Sequence, residues 1–172
     1  GLARIEITVG HIKAGKSLAK DAHLLFLKTG SKWSIAQSLN VIGDAERLLG
    51  HLPAAEAAYH GATELLHSIS SIDAPYGDAN MAIALMEQQK WVEAAQRLDL
   101  AIDGARKTGA KRSLLMITAV SLLPDAMLHR WSHYDRKTQF LEPLLHGKLA
   151  DLDIPLFVEK AARYLTQIDE RE

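Results

Sequence analysis

The sequence predicts an all-α fold, a solenoid of antiparallel helix pairs with a period of about 40 residues. Three observations predict it. Segments rich in Ala and Leu carry apolar residues at the i, i+3, i+4, i+7 spacing of amphipathic helices. The five prolines and eleven glycines fall mostly between these segments, where helices end. The chain also repeats itself at this period, which is room for two helices of about 15 residues and two turns.

The internal repeat is clearest at the turn between the two helices of each unit. Residues 10–15 read GHIKAG, residues 50–55 read GHLPAA, and residues 89–94 read QKWVEA. A weaker fourth copy starts at Ser132. Small or apolar residues recur at matching positions downstream: Ala19, Tyr59 and Leu98, then Ala22, Ala62 and Ala101.

The copies divide the chain into units of residues 1–31, 32–72, 73–110 and 111–152, followed by a terminal helix within 153–172. We expect leading helices at 33–49, 75–88 and 113–129, trailing helices at 53–68, 91–108 and 135–146, and the terminal helix at 156–168. Of the first leading helix only residues 2–9 are present, and the β-branched run 5–9 is also compatible with a strand.

Capping residues agree with these bounds. Pro53 stands in the first turn of a helix, where its missing N–H costs nothing. Gly30 and Gly109 stand where a helix C-cap favours a left-handed residue. Three polar residues are the predicted N-caps: Ser31, Asp73 and Ser113.

The second and third units resemble the tetratricopeptide repeat. Small residues let two helices approach and large ones fill the groove between them. The matching positions are Gly43, Gly50, Leu52, Ala55, Tyr59 and Ala62, then Ala82, Leu85, Trp91, Ala94, Leu98 and Ala101. The resemblance implies a right-handed α-solenoid with a concave face lined by the leading helices. The fourth unit departs from the pattern, with Lys137 where Ala55 and Ala94 stand.

The long period, with Arg-Lys-Thr-Gly closing a trailing helix at residues 106–109, is similar to the repeats of large multidomain bacterial signalling proteins. In those proteins a Ser/Thr kinase or a signalling ATPase precedes the repeat array. Both ends of the sequence cut through a repeat, which predicts a segment of a longer chain. The resemblance therefore implies a non-catalytic, cytoplasmic protein-interaction module.

The resemblance also implies that the concave face binds an extended peptide or a partner helix. Projecting the leading helices onto that face gives the candidate partner-binding residues: Gln37, Asn40, Asp44, Arg47, Tyr76, Asn80, Ile83, Met86, His129 and Arg130. They do not resemble the Lys/Asn clamp with which some family members hold a C-terminal carboxylate. The alternative is a scaffold that associates into a homo-oligomer through its ends or through the last helix.

Composition excludes several other partners. The formal net charge of −1 offers no general attraction to nucleic acid or to an anionic membrane. The apolar runs are too short and too interrupted to cross a bilayer. The chain has no cysteine, so it has no disulfide and no thiolate metal site.

One motif indicates a different function. Residues 10–17, GHIKAGKS, match the P-loop pattern G-x-x-x-x-G-K-[ST], in which Lys16 would contact phosphates and Ser17 would hold Mg²⁺. The rest of the chain shows no pattern for the parallel sheet that a P-loop needs. The repeat register instead places Lys16 and Ser17 in the first turns of a trailing helix. Nucleotide binding is therefore the less favoured alternative.

Neither a metal site nor a catalytic site is predicted. His129 and His133 have the i, i+4 spacing of two metal ligands, but His133 falls in a predicted turn at residues 131–134 without a third ligand nearby. The carboxylates are scattered, and we expect them to be solvated: Asp44, Glu46, Glu87, Glu93, Asp151 and Asp153. The sequence thus predicts no enzyme activity, no cofactor and no metal.

Overall fold

The computed structural model describes residues 1–145, and within that range every regular element is an α-helix. The eight helices are α1 (Leu2–Thr8), α2 (Ile12–Thr29), α3 (Lys32–Leu48), α4 (Leu52–Ser68), α5 (Ala74–Glu87), α6 (Trp91–Thr108), α7 (Lys111–Met127) and α8 (Trp131–Leu145). The all-α prediction is confirmed for these residues. The terminal helix predicted at 156–168 and the end of the fourth unit lie outside the described residues.

The predicted helices match the observed ones closely in the second and third units. The predicted leading helices correspond to α3, α5 and α7, and the predicted trailing helices to α4, α6 and α8. The strand considered for residues 5–9 is wrong, because these residues belong to α1 or to its C-terminal turn. Burial of Ile7 against α2 outweighs the strand preference of the β-branched residues in this segment.

The fourth unit contains the largest boundary error. Its trailing helix α8 begins at Trp131, four residues before the predicted start at Asp135, so residues 131–134 form a helical turn and not a loop. Trp131 begins α8 just as Trp91 begins α6, the trailing helix of the preceding unit. Tyr134, not Lys137, therefore holds the position of Ala94.

Two of the three predicted N-caps behave differently from the expectation. Ser31 is confirmed, because its hydroxyl accepts a hydrogen bond from the backbone N–H of Ser34 at 3.3 Å. Asp73 occupies an N-cap position without a side-chain capping bond, since its carboxylate binds Trp33 instead. Ser113 lies inside α7, which begins at Lys111. The predicted C-caps Gly30 and Gly109 are both left-handed, with φ of 70° and 68°.

The turns within the helix pairs share one construction at regular intervals. Each contains one residue in the left-handed region, where glycine is favoured but not obligatory. These residues are Gly10, Gly50, Gln89 and His129, with φ of 93°, 79°, 61° and 55°. The next backbone N–H then bonds to a carbonyl five residues back: His11 to Glu6, His51 to Glu46, Lys90 to Leu85 and Arg130 to Asp125, at 2.8–2.9 Å. The same closure also forms two of the turns between helix pairs, where the N–H of Ser71 bonds to the Leu66 carbonyl at 2.9 Å and that of Ala110 to the Ala105 carbonyl at 3.0 Å.

Each helix packs on its neighbours in the chain, and further contacts join α1 to α3, α3 to α5 and α5 to α7. Small residues allow this close approach. Ala62 and Ala36, on adjoining helices, are both fully buried in one apolar cluster. The side chain of Tyr59 on α4 lies directly over Gly43 of α3, where any Cβ would come within 2.6 Å of the ring. The contacts that join α1 to α3, α3 to α5 and α5 to α7 place the odd-numbered helices side by side, and a groove lies across them.

Candidate partner-binding groove

A groove of about 630 Å³ runs across the four odd-numbered helices. Because α1, α3, α5 and α7 are sequential neighbours in space, residues far apart in the chain meet on one surface. The lining residues come from these helices, from the α1–α2 turn and from the first residue of α2: Arg4, Ile7, Thr8, Gly10, Ile12, Asp44, Arg47, Leu48, Tyr76, Ala79, Asn80, Ile83, Met116, Ile117 and Val120. Most of this lining is apolar, and polar groups are concentrated on α1 and α3.

The structure brings five of the ten predicted partner-binding residues together in this groove. They are Asp44, Arg47, Tyr76, Asn80 and Ile83. The other five lie elsewhere. Gln37 lines a separate cleft beside α1, Asn40 and Met86 are buried in the packing, and His129 and Arg130 lie in the α7–α8 turn: these positions are not part of the groove lining.

Several groove residues were not predicted, although the repeat carried a signal for some of them. Met116 and Val120 lie one repeat period after Tyr76 and Asn80, so extending the register by one more unit identifies both. Arg4 and Ile7 were missed because the first leading helix is short and was treated as a remnant. In the structure that short helix forms one wall of the groove.

A ladder of polar contacts joins α3 to α5, and two of its residues, Arg47 and Asn80, also line the groove. Three residues on α3, spaced seven apart, each bond to the residue one repeat period later on α5 or at its N-cap. The contacts are Trp33 Nε1 to Asp73 Oδ2 at 2.9 Å, Asn80 Nδ2 to Asn40 Oδ1 at 3.4 Å, and Arg47 Nη1 to Glu87 Oε1 at 2.6 Å. The ladder fixes the register of α3 against α5, and with it the positions of the groove side chains they carry.

The polar residues of α3 are held by partners inside the protein. The hydroxyl of Tyr59 donates to Asp44 Oδ1 at 2.8 Å. Burial raises the pKa of Asp44, although the Tyr59 hydrogen bond and the positive charges of Arg4 and Arg47 oppose the shift. Burial, together with the Asp44 carboxylate, also raises the pKa of Tyr59. Asp44 and Arg47 therefore hold the groove wall in shape, and both are already occupied.

Arg4 differs from these residues. Its side chain is exposed at the groove wall, and it forms no ion pair with the residues that the structure describes. An exposed guanidinium next to an apolar surface suits a carboxylate on a ligand, because Arg can donate two parallel hydrogen bonds.

The P-loop-like segment has a structural explanation in helix packing. Gly15 is buried where α2 crosses α1, and a Cβ there would lie 2.7 Å from the backbone oxygen of Ala3. Lys16 Nζ lies 2.7 Å from Glu46 Oε1. The N–H of Gly15 bonds to the His11 carbonyl, as in the first turn of a helix. The groups that would hold a phosphate in a P-loop are thus used in packing α1 and α2 onto α3.

Glu46 also links the turn that follows α3. His51 Nδ1 lies 2.9 Å from Glu46 Oε2, on the opposite carboxylate oxygen from Lys16. Burial disfavours the charged form of Glu46, but the hydrogen bonds from Lys16 and His51 outweigh it and hold its pKa below the usual range.

This lowered pKa predicts a pH-dependent contribution to stability. Because the folded pKa lies below the unfolded one, the stabilisation is complete above the usual glutamate value of 4.5 and is lost as the pH falls through the lower folded pKa. We expect Glu46→Gln to lower the free energy of unfolding by about 1–3 kcal/mol near neutral pH, with the difference shrinking in acid. Urea unfolding at several pH values measures this. Glu64→Gln, at an exposed glutamate, is the control and should show no such trend.

The carboxylates expected to be solvated divide into bonded and exposed ones. The expectation is wrong for Asp44 and Glu46, whose carboxylates are bonded inside the protein as described. It holds for the exposed Glu93 and Glu87, although Glu87 also pairs with Arg47. Asp151 and Asp153 lie outside the described residues. Within residues 1–145, no three His, Asp or Glu side chains are grouped as metal ligands.

The two histidines considered as metal ligands have separate neighbours. The His129 ring lies 5.3 Å from that of Trp131, and His133 Nδ1 lies 2.9 Å from Arg130 Nη2.

A cluster of four charges joins α6, α7 and α8 at the other end of the described chain. Asp125 is completely buried, and its Oδ2 accepts a hydrogen bond from Lys137 Nζ at 2.6 Å. Arg130 Nη1 lies 3.1 Å from Asp125 Oδ1, close enough for an ion pair but not aligned for a hydrogen bond. Asp99 pairs with both Arg130 and Lys137 at 2.6 and 3.1 Å. Burial opposes ionisation of Asp99, but these two cations hold its pKa below the usual range.

Comparisons with known proteins leave the family open. No family model matches the chain, and no curated protein matches it. Among residues 1–145, no helix combines the length and the apolar character that a membrane crossing requires.

Proposed function

We propose that this chain is a non-catalytic protein-interaction module and that the groove across α1, α3, α5 and α7 is its binding site. The observation that carries the proposal is the groove itself: about 630 Å³ of mostly apolar surface, formed by parallel positions of four successive helix pairs. Grooves of this kind, with an apolar floor and a few placed polar groups, suit an extended peptide or a partner helix.

The architecture that we propose is a right-handed tetratricopeptide-like solenoid. It is supported by the left-handed turn residues within the helix pairs, which recur every 39 or 40 residues at Gly10, Gly50, Gln89 and His129, and by the lateral contacts between odd-numbered helices. In such a stack the leading helices line the concave face. By the same resemblance, we propose that the module belongs to the repeat region of a larger cytoplasmic signalling protein of the bacterial type.

The groove lining supports one chemistry for the partner. Leu48, Ile83 and Met116 offer apolar contacts that exclude charged residues from the centre of a bound segment. Asp44 and Arg47 are already paired within the protein, whereas the exposed Arg4 can receive a carboxylate. We therefore propose a peptide or helix with several apolar side chains and one Asp or Glu that reaches Arg4.

A random peptide library displayed on phage tests this proposal. We expect peptides selected on the chain to be rich in apolar residues and to carry an acidic residue. Arg4→Glu should weaken the selected peptides about tenfold or more, which corresponds to about 1.4 kcal/mol. Leu48→Asp, at an exposed groove residue, should have a similar effect.

Matched controls lie outside the groove lining. Arg112→Glu reverses the charge of another exposed arginine, and Leu100→Asp replaces another exposed leucine. Neither should alter peptide affinity. Selected peptides that bind the groove variants and the control variants equally well, or a selection that enriches nothing, would contradict a binding function for this groove.

A further inference from the structure

The groove crosses the odd-numbered helices diagonally. Counted back from the left-handed turn residue of each unit, the lining residues of α1 and α3 stand two to six positions before the turn: Arg4, Ile7 and Thr8 on α1, and Asp44, Arg47 and Leu48 on α3. On α7 the lining runs from Met116 to Val120, nine to 13 positions before the turn. On α5 it runs from Tyr76 to Ile83 and covers both levels. The groove therefore passes from the C-terminal turns of α1 and α3 to earlier turns of α7.

The change of level is a displacement along the helix axes. In the ladder between α3 and α5, each contact joins a residue to the one 40 positions later, so the two helices run parallel and in register. Arg47 is thus level with Glu87, seven residues beyond Asn80, which also lines the groove. At a rise of 1.5 Å per residue, seven residues correspond to about 10 Å.

The groove is narrow where it crosses each helix. Its lining residues on α1, α3 and α7 span four positions, or about 6 Å of helix axis, and those on α5 span seven, or about 10 Å. An α-helix with its side chains is about 10–12 Å across, which is wider than the groove at three of the four helices. An extended chain needs less room, because paired strands lie about 4.8 Å apart. The width therefore favours an extended segment over a partner helix.

The chemistry of the lining changes along the diagonal. Its charged residues are Arg4, Asp44 and Arg47, all on α1 and α3. Asp44 and Arg47 are bonded within the protein, which leaves Arg4 as the group for an acidic side chain. On α5 and α7 the described lining carries no charged side chain, and the half-buried Met116 lies on the helix farthest from Arg4. An acidic and an apolar side chain of one partner therefore suit two separate points of the groove.

The length of the diagonal follows from ordinary helix geometry. Neighbouring packed helices lie about 8–10 Å apart, and three such steps separate α1 from α7. Together with the axial displacement of about 10 Å, this places Arg4 and Met116 about 26–32 Å apart. An extended chain, which rises about 3.3 Å per residue, covers that distance in about eight to ten residues. Both points lie inside described helices, so the spacing does not depend on where the chain or the ligand ends.

We infer that the partner binds as an extended segment along this diagonal, in which an acidic residue and an apolar residue stand about eight to ten positions apart. The acidic side chain reaches Arg4, and the apolar one packs on Met116. The inference rests on the proposed function of the groove. It narrows that function, because it selects an extended peptide over a helix and adds a spacing that the peptide must have.

Peptide rulers test the spacing. Each ruler carries one Glu and two adjacent leucines, separated by a stiff proline-rich spacer of between about 3 and 14 residues that extends about 3.1 Å per residue. Anisotropy of a fluorescent label measures their affinity, in both orders of the two groups. We expect the tightest binding at about eight to ten residues, at least about tenfold tighter than with the shortest and the longest spacers. The matched control is an Ala-rich helical peptide with the same two groups about 18 residues apart, which spans the same distance and should bind about tenfold more weakly.

Protein variants separate this inference from the proposed function. Arg4→Ala should abolish the dependence of affinity on spacer length, since one of the two contacts is lost, whereas Arg112→Ala should preserve it. If Leu48→Asp weakened every ruler but affinity did not depend on the spacer, or if the helical peptide bound best, the groove would remain the site and the extended course would be wrong. If no ruler and no library-selected peptide bound, both would be wrong.

Photocrosslinking gives a readout that does not depend on affinity. On the tightest ruler, a diazirine group in place of one leucine should label α7, and one next to the Glu should label α1 or α3. Mass spectrometry of the digested adducts identifies the labelled helix. Labelling of the same helix from both positions would overturn the diagonal course.

Discussion

Replacing Asp125 with alanine is expected to lower the free energy of unfolding by about 3–5 kcal/mol. The carboxylate is completely buried, and its Oδ2 accepts a hydrogen bond from Lys137 Nζ at 2.6 Å. Its removal leaves Lys137 and Arg130 partly buried, with only Asp99 to balance two positive charges. Urea unfolding followed by far-UV circular dichroism measures the change.

The matched control for Asp125 is Asp103. It pairs with Arg106 at 3.5 Å, and both side chains are largely exposed. Exposed pairs of this kind contribute little, so Asp103→Ala should change stability by less than roughly 0.5 kcal/mol. If the two substitutions proved equally mild, the buried charge cluster could not be what holds α8 against α6 and α7.

Replacing Gly43 with alanine is expected to destabilise the protein by about 1–3 kcal/mol, although alanine favours helices over glycine. A Cβ at this position would lie 2.6 Å from Tyr59 Cε1. The ring is almost fully buried and is tied to Asp44 through its hydroxyl, so it cannot move aside without breaking that bond.

Gly61 provides the opposite case within the neighbouring helix α4. A Cβ there would meet Leu39 Cδ1 at 3.4 Å, an ordinary packing distance. Gly61→Ala should therefore stabilise the protein by up to about 1 kcal/mol through helix propensity alone. Chemical unfolding of both variants gives the comparison. Stabilisation by both would mean that the Tyr59 ring does not lie over Gly43 as described.

The helices of the second and third units were predictable because local signals agree there with the packing. Gly50 and Gly109 mark left-handed turns, Pro53 marks a first helical turn, and the small residues of each copy mark the buried face. The trailing helix of the fourth unit was misplaced because two local signals are missing there together. The left-handed residue of its turn is His129 and not glycine, and Tyr134 stands where the earlier units have the small residues Ala55 and Ala94.

Half of the predicted partner-binding residues lie in the groove for a similar reason. Helix periodicity separates an inner from an outer face, and this was enough to place Asp44, Tyr76 and Ile83 there. Periodicity does not show which positions on the inner face stay open to the groove and which a neighbouring helix covers. Asn40 was therefore assigned to the groove, whereas the lateral approach of α5 buries it against Asn80.

The sequence by itself determined the all-α class and the positions of most helices, because periodicity, glycine and proline act over a few residues. Only the tertiary structure decided which charged side chains form ion pairs with each other. Lys16 of α2 pairs with Glu46 near the far end of α3, and Lys137 of α8 pairs with Asp99 of α6. Such pairs depend on how one helix lies against another, which local patterns do not encode.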